Sequence, residues 1–134
     1  MSIRSDALNW LYEGVEDLKT AEQLFKLERY AHACFHAQQA AEKALKAVIM
    51  AKLRKLDRGH DLVELYSQVE HLLKLPCADE LAELSSFYVQ ARYPNAGLTR
   101  PSREISRRQA ERALGIARRV VDAVEAALKA EEGT

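Results

Sequence analysis

One helical stretch of the sequence carries a polar side chain in the middle of an otherwise apolar face. Wound at about 3.6 residues per turn, residues 34–49 place Cys34, Leu45 and other apolar side chains on one face, with Gln38 among them. A buried amide without a hydrogen-bond partner costs about 1–3 kcal/mol, so Gln38 needs polar neighbours. The polar edge beside this face consists of Gln39, Glu42, Lys43 and Lys46. The simplest interpretation is a satisfied core glutamine next to a solvated edge.

Basic residues form a second pattern, although the formal net charge of the chain is zero. From Arg92 to Arg119 there are eight arginines against two acids. A smaller basic group, Lys52 to Arg58, closes the second predicted helix. In an up-and-down bundle the ends of the second and fourth helices and the start of the last helix meet. We therefore expect one basic end, made of Lys52 to Arg58, His60, Arg92, Arg100, Arg103, Arg107 and Arg108.

Such a basic end favours an anionic ligand, because arginine presents a planar fork that binds phosphate oxygens in pairs. A nucleotide or an RNA backbone is the ligand class that this chemistry suggests. The same basic residues also have structural explanations that need no ligand. Basic residues near a helix C-terminus also complement the helix dipole, and pairs such as Arg107 and Glu111 can form ordinary contacts four residues apart. An arginine-rich surface can also be only a solvated one.

Hydrophobic periodicity predicts five helices that position these residues. The first runs from Ser5, as N-cap, to Lys26, and the second from about Tyr30 to Leu56. Asp61 is expected to cap a third helix. The fourth contains Leu81, Leu84, Tyr88 and Ala91, and the last runs from Ser102 to about Ala130. Apolar residues repeat at three and four positions, and no segment alternates as a strand does. The expected fold is all-α, an antiparallel up-and-down helical bundle forming a single domain over residues 1–134.

Composition limits the class of protein further. With 48% hydrophobic and 30% charged residues, the chain is typical of a globular protein. No apolar run approaches the roughly 20 residues that a membrane helix needs, and residues 1–6 lack the apolar core of a secretory signal. We therefore expect a cytoplasmic protein without a membrane partner. His32 and His36 lie four apart, but they fall away from the core without a carboxylate between them, so no metal site and no cofactor is expected.

Three segments together resemble the HEPN family, the helical domains named for nucleotide binding in prokaryotes and higher eukaryotes. The stretch Phe35-His36-Ala37-Gln38-Gln39-Ala40-Ala41-Glu42-Lys43-Ala44-Leu45-Lys46-Ala47 is similar to the family's signature helix. Gly59-His60-Asp61-Leu62 resembles the turn into the third helix, and Tyr88 through Arg92-Tyr93-Pro94 resembles the end of the fourth. The resemblance implies a bundle that commonly forms homodimers.

Many catalytic HEPN proteins are metal-independent ribonucleases, and this chain departs from their motif. The motif is an arginine followed four to six residues later by a histidine, in which histidine can act as the general base on a ribose 2′-hydroxyl and arginine can stabilise the charged phosphorane. Arg92 stands at the arginine position, but no histidine follows it in the chain. His60 is the remaining candidate base, and its structural alternative is a turn histidine beside a helix cap.

The Arg-Tyr-Pro ending instead resembles a HEPN branch encoded beside small nucleotidyltransferases, in toxin–antitoxin-like modules or as nucleotide-binding subunits. This resemblance implies a nucleotidyltransferase partner, with Glu42 and Lys46 lining a polar groove. Helix geometry, at about 1.5 Å per residue, predicts that Glu42 lies about 20 Å from the basic end. Tyr93 could stack on a base or pack under the loop.

The first functional hypothesis is therefore a non-catalytic protein that binds nucleotide or RNA phosphates. Its expected ligand-binding residues are Arg92, Tyr93, Lys46, Glu42, Lys52, Arg100 and Arg103. The second hypothesis is a ribonuclease with a degenerate active site, using Arg92 and His60 as catalytic residues. A third is a helical scaffold for the partner that binds no ligand.

Overall fold

Helices account for the regular structure throughout the described part of the chain. The computed structural model describes residues 2–132; Met1 and residues 133–134, which the predicted domain includes, lie outside them. Three long helices form the bundle, and four short ones connect α2 to the last. The elements are α1 (Ile3–Lys26), α2 (Tyr30–Leu53), α3 (Leu62–Ser67), α4 (Leu81–Ser85, after a 3-10 turn at Ala78–Glu80), α5 (Phe87–Gln90), α6 (Pro101–Glu104) and α7 (Arg107–Glu132). The predicted all-α bundle is confirmed, with α6 as an additional short helix.

The alanine-rich helix α2 forms the centre of the core. It packs against both α1 and α7, and its alanines from Ala33 to Ala47 are inaccessible to solvent. The small side chains allow α1 to approach closely. A Cβ atom built on Gly14 of α1 would lie only 3.0 Å from the carbonyl oxygen of Ala40. Among the described residues 2–132, none of the helices combines the length and apolar character needed to cross a membrane.

The first and last long helices begin at residues other than those predicted, because other serines cap them. Ser2, not Ser5, is the N-cap of α1, and its side chain accepts a hydrogen bond from the backbone N–H of Ser5. The last helix is predicted to run on from Ser102, but it is interrupted. The short helix α6 ends at Glu104, and α7 begins at Arg107. Ser106 and Gln109 then form a reciprocal capping box at the start of α7, with bonds of 3.1 and 2.8 Å.

The end of α2 and the path after it determine where the candidate site forms. The helix ends at Leu53, three residues before the predicted Leu56, because Arg54 adopts the left-handed backbone conformation with φ 57°. Asp61 caps α3 as predicted, accepting a hydrogen bond of 2.9 Å from the N–H of Val63. Between these points the chain turns back along α2, so α3 begins beside the middle of α2 and not at its end.

The predicted fourth helix is interrupted between α4 and α5. At the interruption, the hydroxyl of Ser86 donates a hydrogen bond of 2.7 Å to the carbonyl of Glu83, a side-chain contact that competes with regular helix geometry. After α5 the chain closes in a turn, where the N–H of Arg92 donates to the carbonyl of Val89. Arg92 therefore lies at the junction of a helix and a loop.

Candidate functional site

Two opposite charges are buried on α2. Glu42 and Lys46 are only 4% and 5% exposed, and their Oε2 and Nζ atoms are 2.9 Å apart. Charges removed from water are tolerated only when they are paired and hydrogen-bonded. The expected solvated edge is therefore wrong for these two residues. Gln38 lies beside them, fully buried, and donates to Oε1 of Glu42 at 3.1 Å, so its predicted polar neighbours are confirmed.

His60 covers this pair from the linker between α2 and α3. Its Nδ1 atom lies 3.1 Å from both carboxylate oxygens of Glu42, and its carbonyl accepts a hydrogen bond from Gln38. The predicted separation of about 20 Å between Glu42 and the end that includes His60 is wrong. The seven residues from Arg54 can span about 24 Å when extended, which exceeds the roughly 17 Å along α2 from Leu53 back to Glu42.

The imidazole of His60 is held by one nitrogen and open at the other. Its side chain is 48% exposed, and within residues 2–132 its contacts to polar groups are through Nδ1. When Nδ1 carries the proton and donates it to Glu42, the lone pair of Nε2 is available to accept a proton. This is how a carboxylate selects the useful tautomer of a catalytic histidine.

Arg92 and His60 both contact the ring of Tyr88. The ring centres of His60 and Tyr88 are 4.1 Å apart, and the Cζ atom of Arg92 is 4.4 Å from the centre of the Tyr88 ring. Phe35 and Tyr93 contribute two more rings at 4.8 and 4.7 Å. The Nε of Arg92 donates to the carbonyl of Tyr88 at 2.8 Å. These contacts fix the guanidinium, which is exposed and has no carboxylate partner among the described residues.

We use the name polar groove for the cluster formed by His60, Tyr88 and Arg92 together with the buried Glu42 beneath His60. Lys46 balances the charge of Glu42, so the charge of Arg92 remains uncompensated. The groove thus presents a fixed cation and an imidazole nitrogen that are both held against the ring of Tyr88. Such an arrangement can bind a phosphate and can accept a proton from a neighbouring hydroxyl.

The predicted basic end is wrong for Lys52, which lies at the opposite end of α2 from Arg92 and Arg100. Lys52 belongs to the last turn of α2. Arg92 and Arg100 instead line a cleft with Ala31 and His32, in the first turn of α2. These turns are separated by about 30 Å along the helix. The cause is the reversed linker, which lets α5 end beside the start of α2. Arg103 follows in α6, so it belongs with Arg100.

A separate charged cluster holds α1 to α2. Asp17 of α1 contacts His36 at 3.1 Å and Lys43 at 2.6 Å. Burial raises the pKa of the Asp17 carboxyl, but the hydrogen bonds and charges of His36 and Lys43 outweigh it, and the net pKa is lowered. His36 is therefore not simply solvated, as its position away from the core suggested. The cluster is consistent with a structural contact between helices.

Sequence reasoning missed Tyr88 and Phe35 as members of the site. The signal for Tyr88 was its position four residues before Arg92, a spacing that brings side chains together on a helix. Phe35 precedes Gln38 by three residues, and Gln38 precedes Glu42 by four. This spacing places the three side chains on one face of α2. The contact between His60 and Glu42 had no comparable signal, since it depends on the path of the linker.

The chain matches the model of the HEPN domain over residues 7–127. It is 28% identical over 130 residues to a protein of Methanocaldococcus jannaschii named "Putative toxin MJ1304", covering 88% of this chain and 85% of that protein. This chain therefore belongs to the HEPN domain family, and the resemblance of its motifs is confirmed.

Solved structures give the same result. TT1696 from Thermus thermophilus superimposes with a TM-score of 0.82 at 33% identity, covering 90% of this chain and 97% of that one. ST0689, described as an archaeal HEPN homologue, has a TM-score of 0.75 at 26% identity, covering 91% and 97%. A HEPN domain protein of Thermotoga maritima, tm0613, has a TM-score of 0.70 at 26% identity, covering 90% and 98%.

Proposed function

We propose that this HEPN chain binds the phosphate of a nucleotide or an RNA in the polar groove, with Arg92 as the principal ligand. The observation that supports this most directly is the environment of Arg92. Three aromatic rings and one backbone carbonyl fix the guanidinium, whereas no carboxylate of the described chain neutralises it. A fixed cation loses less side-chain entropy when it binds an anion.

The second part of the proposal is a role as the toxin-like member of a two-component module. The similarity to the Methanocaldococcus jannaschii protein supports this role, as does membership of the HEPN family. The Arg92-Tyr93-Pro94 ending resembles the branch that accompanies small nucleotidyltransferases. We therefore propose a small nucleotidyltransferase as the partner and a homodimer as the assembly.

A specific observation favours RNA cleavage as a second candidate function. Glu42 holds Nδ1 of His60, so the lone pair of Nε2 is available, and the ring of Tyr88 contacts both His60 and Arg92. In such a reaction Nε2 accepts the proton of a ribose 2′-hydroxyl, and the oxygen attacks the adjacent phosphorus. Arg92 stabilises the added negative charge. The 5′-oxygen leaves with a proton from solvent, and a 2′,3′-cyclic phosphate remains.

Binding is tested by titrating the purified protein with ATP and with a short labelled single-stranded RNA. The half-buried Trp10 provides a fluorescence signal, and anisotropy follows the RNA at low and high salt. We expect saturable binding that Arg92→Ala abolishes. Arg118→Ala is the matched control, because Arg118 is an exposed arginine paired with Glu22 on another side of the bundle. Equal loss in both variants, or no binding at low salt, would contradict the proposal and favour a scaffold that binds no ligand.

Cleavage is tested with the same RNA in the presence of EDTA, with the products resolved by mass spectrometry. The mechanism predicts 2′,3′-cyclic phosphate ends and their loss in His60→Ala. His71→Ala is the control for removal of a histidine, since His71 is an exposed residue outside the groove. Full cleavage by His60→Ala would refute the His60 mechanism and leave the binding proposal intact.

A further inference from the structure

A basic cleft shares Arg92 with the polar groove. It has a volume of about 290 Å³. Arg92 and Arg100 are the charged residues that line it, His32 adds an imidazole and Ser102 adds a hydroxyl. The remaining wall is small or apolar, formed by Ala31, Ala91, Pro94 and Pro101. Because no carboxylate belongs to this lining, the cleft is chemically suited to an anion.

The loop between α5 and α6 positions Arg100 at the cleft. Asn95 and Gly97 adopt positive φ values of 59° and 102°, and the N–H of Asn95 donates to the carbonyl of Thr99 at 3.2 Å. These features fold the loop back on itself. Glu104 accepts a hydrogen bond from the backbone N–H of Arg100. That carboxylate therefore fixes the backbone, and the contacts of the described chain give the Arg100 guanidinium no carboxylate partner.

Arg92 is shared between the two features. Its guanidinium lies over Tyr88 of the polar groove, and the same residue lines the cleft with Arg100. A phosphate on Arg92 would therefore have a second cationic position next to it. Tyr93, with half of its surface exposed, lies against Arg92 and offers an aromatic ring, and base stacking on such rings is tolerant of sequence.

We propose that the basic cleft is a second phosphate subsite and that the ligand is a single-stranded polynucleotide, not a mononucleotide. One phosphate binds Arg92, and a neighbouring phosphate of the same strand enters the cleft and binds Arg100 and His32. This inference rests on the proposed function of the polar groove. It adds the class of ligand and assigns Arg100 to recognition of the second phosphate.

The test compares a labelled hexa-adenylate RNA with AMP, for the wild-type chain and for Arg100→Gln. The RNA is followed by anisotropy and AMP by calorimetry. Arg100→Gln should weaken RNA binding about tenfold at low salt, as expected for loss of one charge-assisted contact. It should also reduce the slope of log affinity against log salt by about 0.7, the value for one phosphate of a single strand. AMP affinity should not change.

Lys129→Gln is the control for charge, since Lys129 is 72% exposed near the end of α7. His32→Asn provides a second variant of the cleft and should also weaken RNA more than AMP. RNA that binds no more tightly than AMP, or whose affinity and salt slope are unaffected by Arg100→Gln, would overturn the second subsite while the proposed function stands. If neither RNA nor AMP binds the wild-type chain, the proposed function itself fails.

Discussion

Replacing the buried carboxylate of the site by an amide tests the central feature of the polar groove. In Glu42→Gln the ammonium of Lys46, only 5% exposed, loses its charged partner at 2.9 Å. Removing one member of a buried ion pair typically costs about 3–5 kcal/mol. The new side chain keeps one oxygen that can accept a hydrogen bond, so we expect a loss near the lower limit, about 3 kcal/mol.

Urea unfolding followed by circular dichroism measures this loss. With a slope of about 2 kcal/mol per molar urea, the midpoint should fall by about 1.5 M. Glu111→Gln is a matched control, since it changes the same residue type in a helical pair of the same spacing. Its contact with Arg107 measures 3.0 Å, but the side chains are 61% and 54% exposed. Exposed pairs contribute less than about 1 kcal/mol.

A double variant separates the unpaired charge from other effects of the substitution. Glu42→Gln combined with Lys46→Met removes both charges, and a buried pair replaced by neutral groups is often no less stable than the original. We expect the double variant to recover most of the stability. A loss in Glu42→Gln no larger than in Glu111→Gln, or no recovery in the double variant, would refute the argument from burial.

Two helical glycines, one carboxylate and one thiol supply three more tests. Gly14→Ala should lower the free energy of unfolding by about 1–3 kcal/mol, because the added Cβ would lie 3.0 Å from a carbonyl oxygen of α2. Gly115→Ala, where nothing lies within 4 Å of the added Cβ, should raise the free energy of unfolding by about 0.5–1 kcal/mol. Urea unfolding measures both variants, and a change of the same sign in the two would contradict the packing of Gly14 against α2. The lowered pKa of Asp17 gives stability that is present above the ordinary value of 3.8 and is lost as the pH falls through the lower folded value. Asp17→Asn should therefore flatten the acid limb of stability plotted against pH, and an unchanged limb would contradict this. Burial raises the pKa of Cys34 to about 12, and only the thiolate is reactive. Mass spectrometry should thus find Cys34 unlabelled by iodoacetamide in the folded protein near neutral pH, and rapid labelling would be inconsistent with its burial.

Much of the fold could be predicted from the sequence, because apolar side chains recur at helical spacing along each long helix. The errors lie where local hydrogen bonds select one cap among several candidates. Ser2 and Ser5 are both acceptable N-caps by residue type, and only the backbone geometry distinguishes them. The break before α7 did have a sequence signal, since Ser106 followed three residues later by Gln109 is a capping box.

The candidate site was less predictable, because its contacts join residues that are distant in sequence. Gln38, Glu42 and Lys46 share a helix, so their proximity follows from spacing alone. His60 reaches Glu42 only because the chain reverses after Arg54, an arginine in the left-handed region that glycine usually occupies. Neither periodicity nor charge indicates this reversal. The same reversal explains why Lys52 and Arg92 were wrongly expected at one end of the bundle.

The buried ion pair gives a physical reason for the charge of the polar groove. A carboxylate is needed to hold Nδ1 of His60, but an unbalanced carboxylate beside Arg92 would oppose the binding of a phosphate. Lys46 neutralises that carboxylate through the ion pair, and its Nζ atom is also 5.6 Å from the centre of the Trp10 ring. The groove can therefore orient an imidazole with an acid and still present a net positive surface. Arg92 needs no such compensation, since aromatic rings hold it without neutralising it.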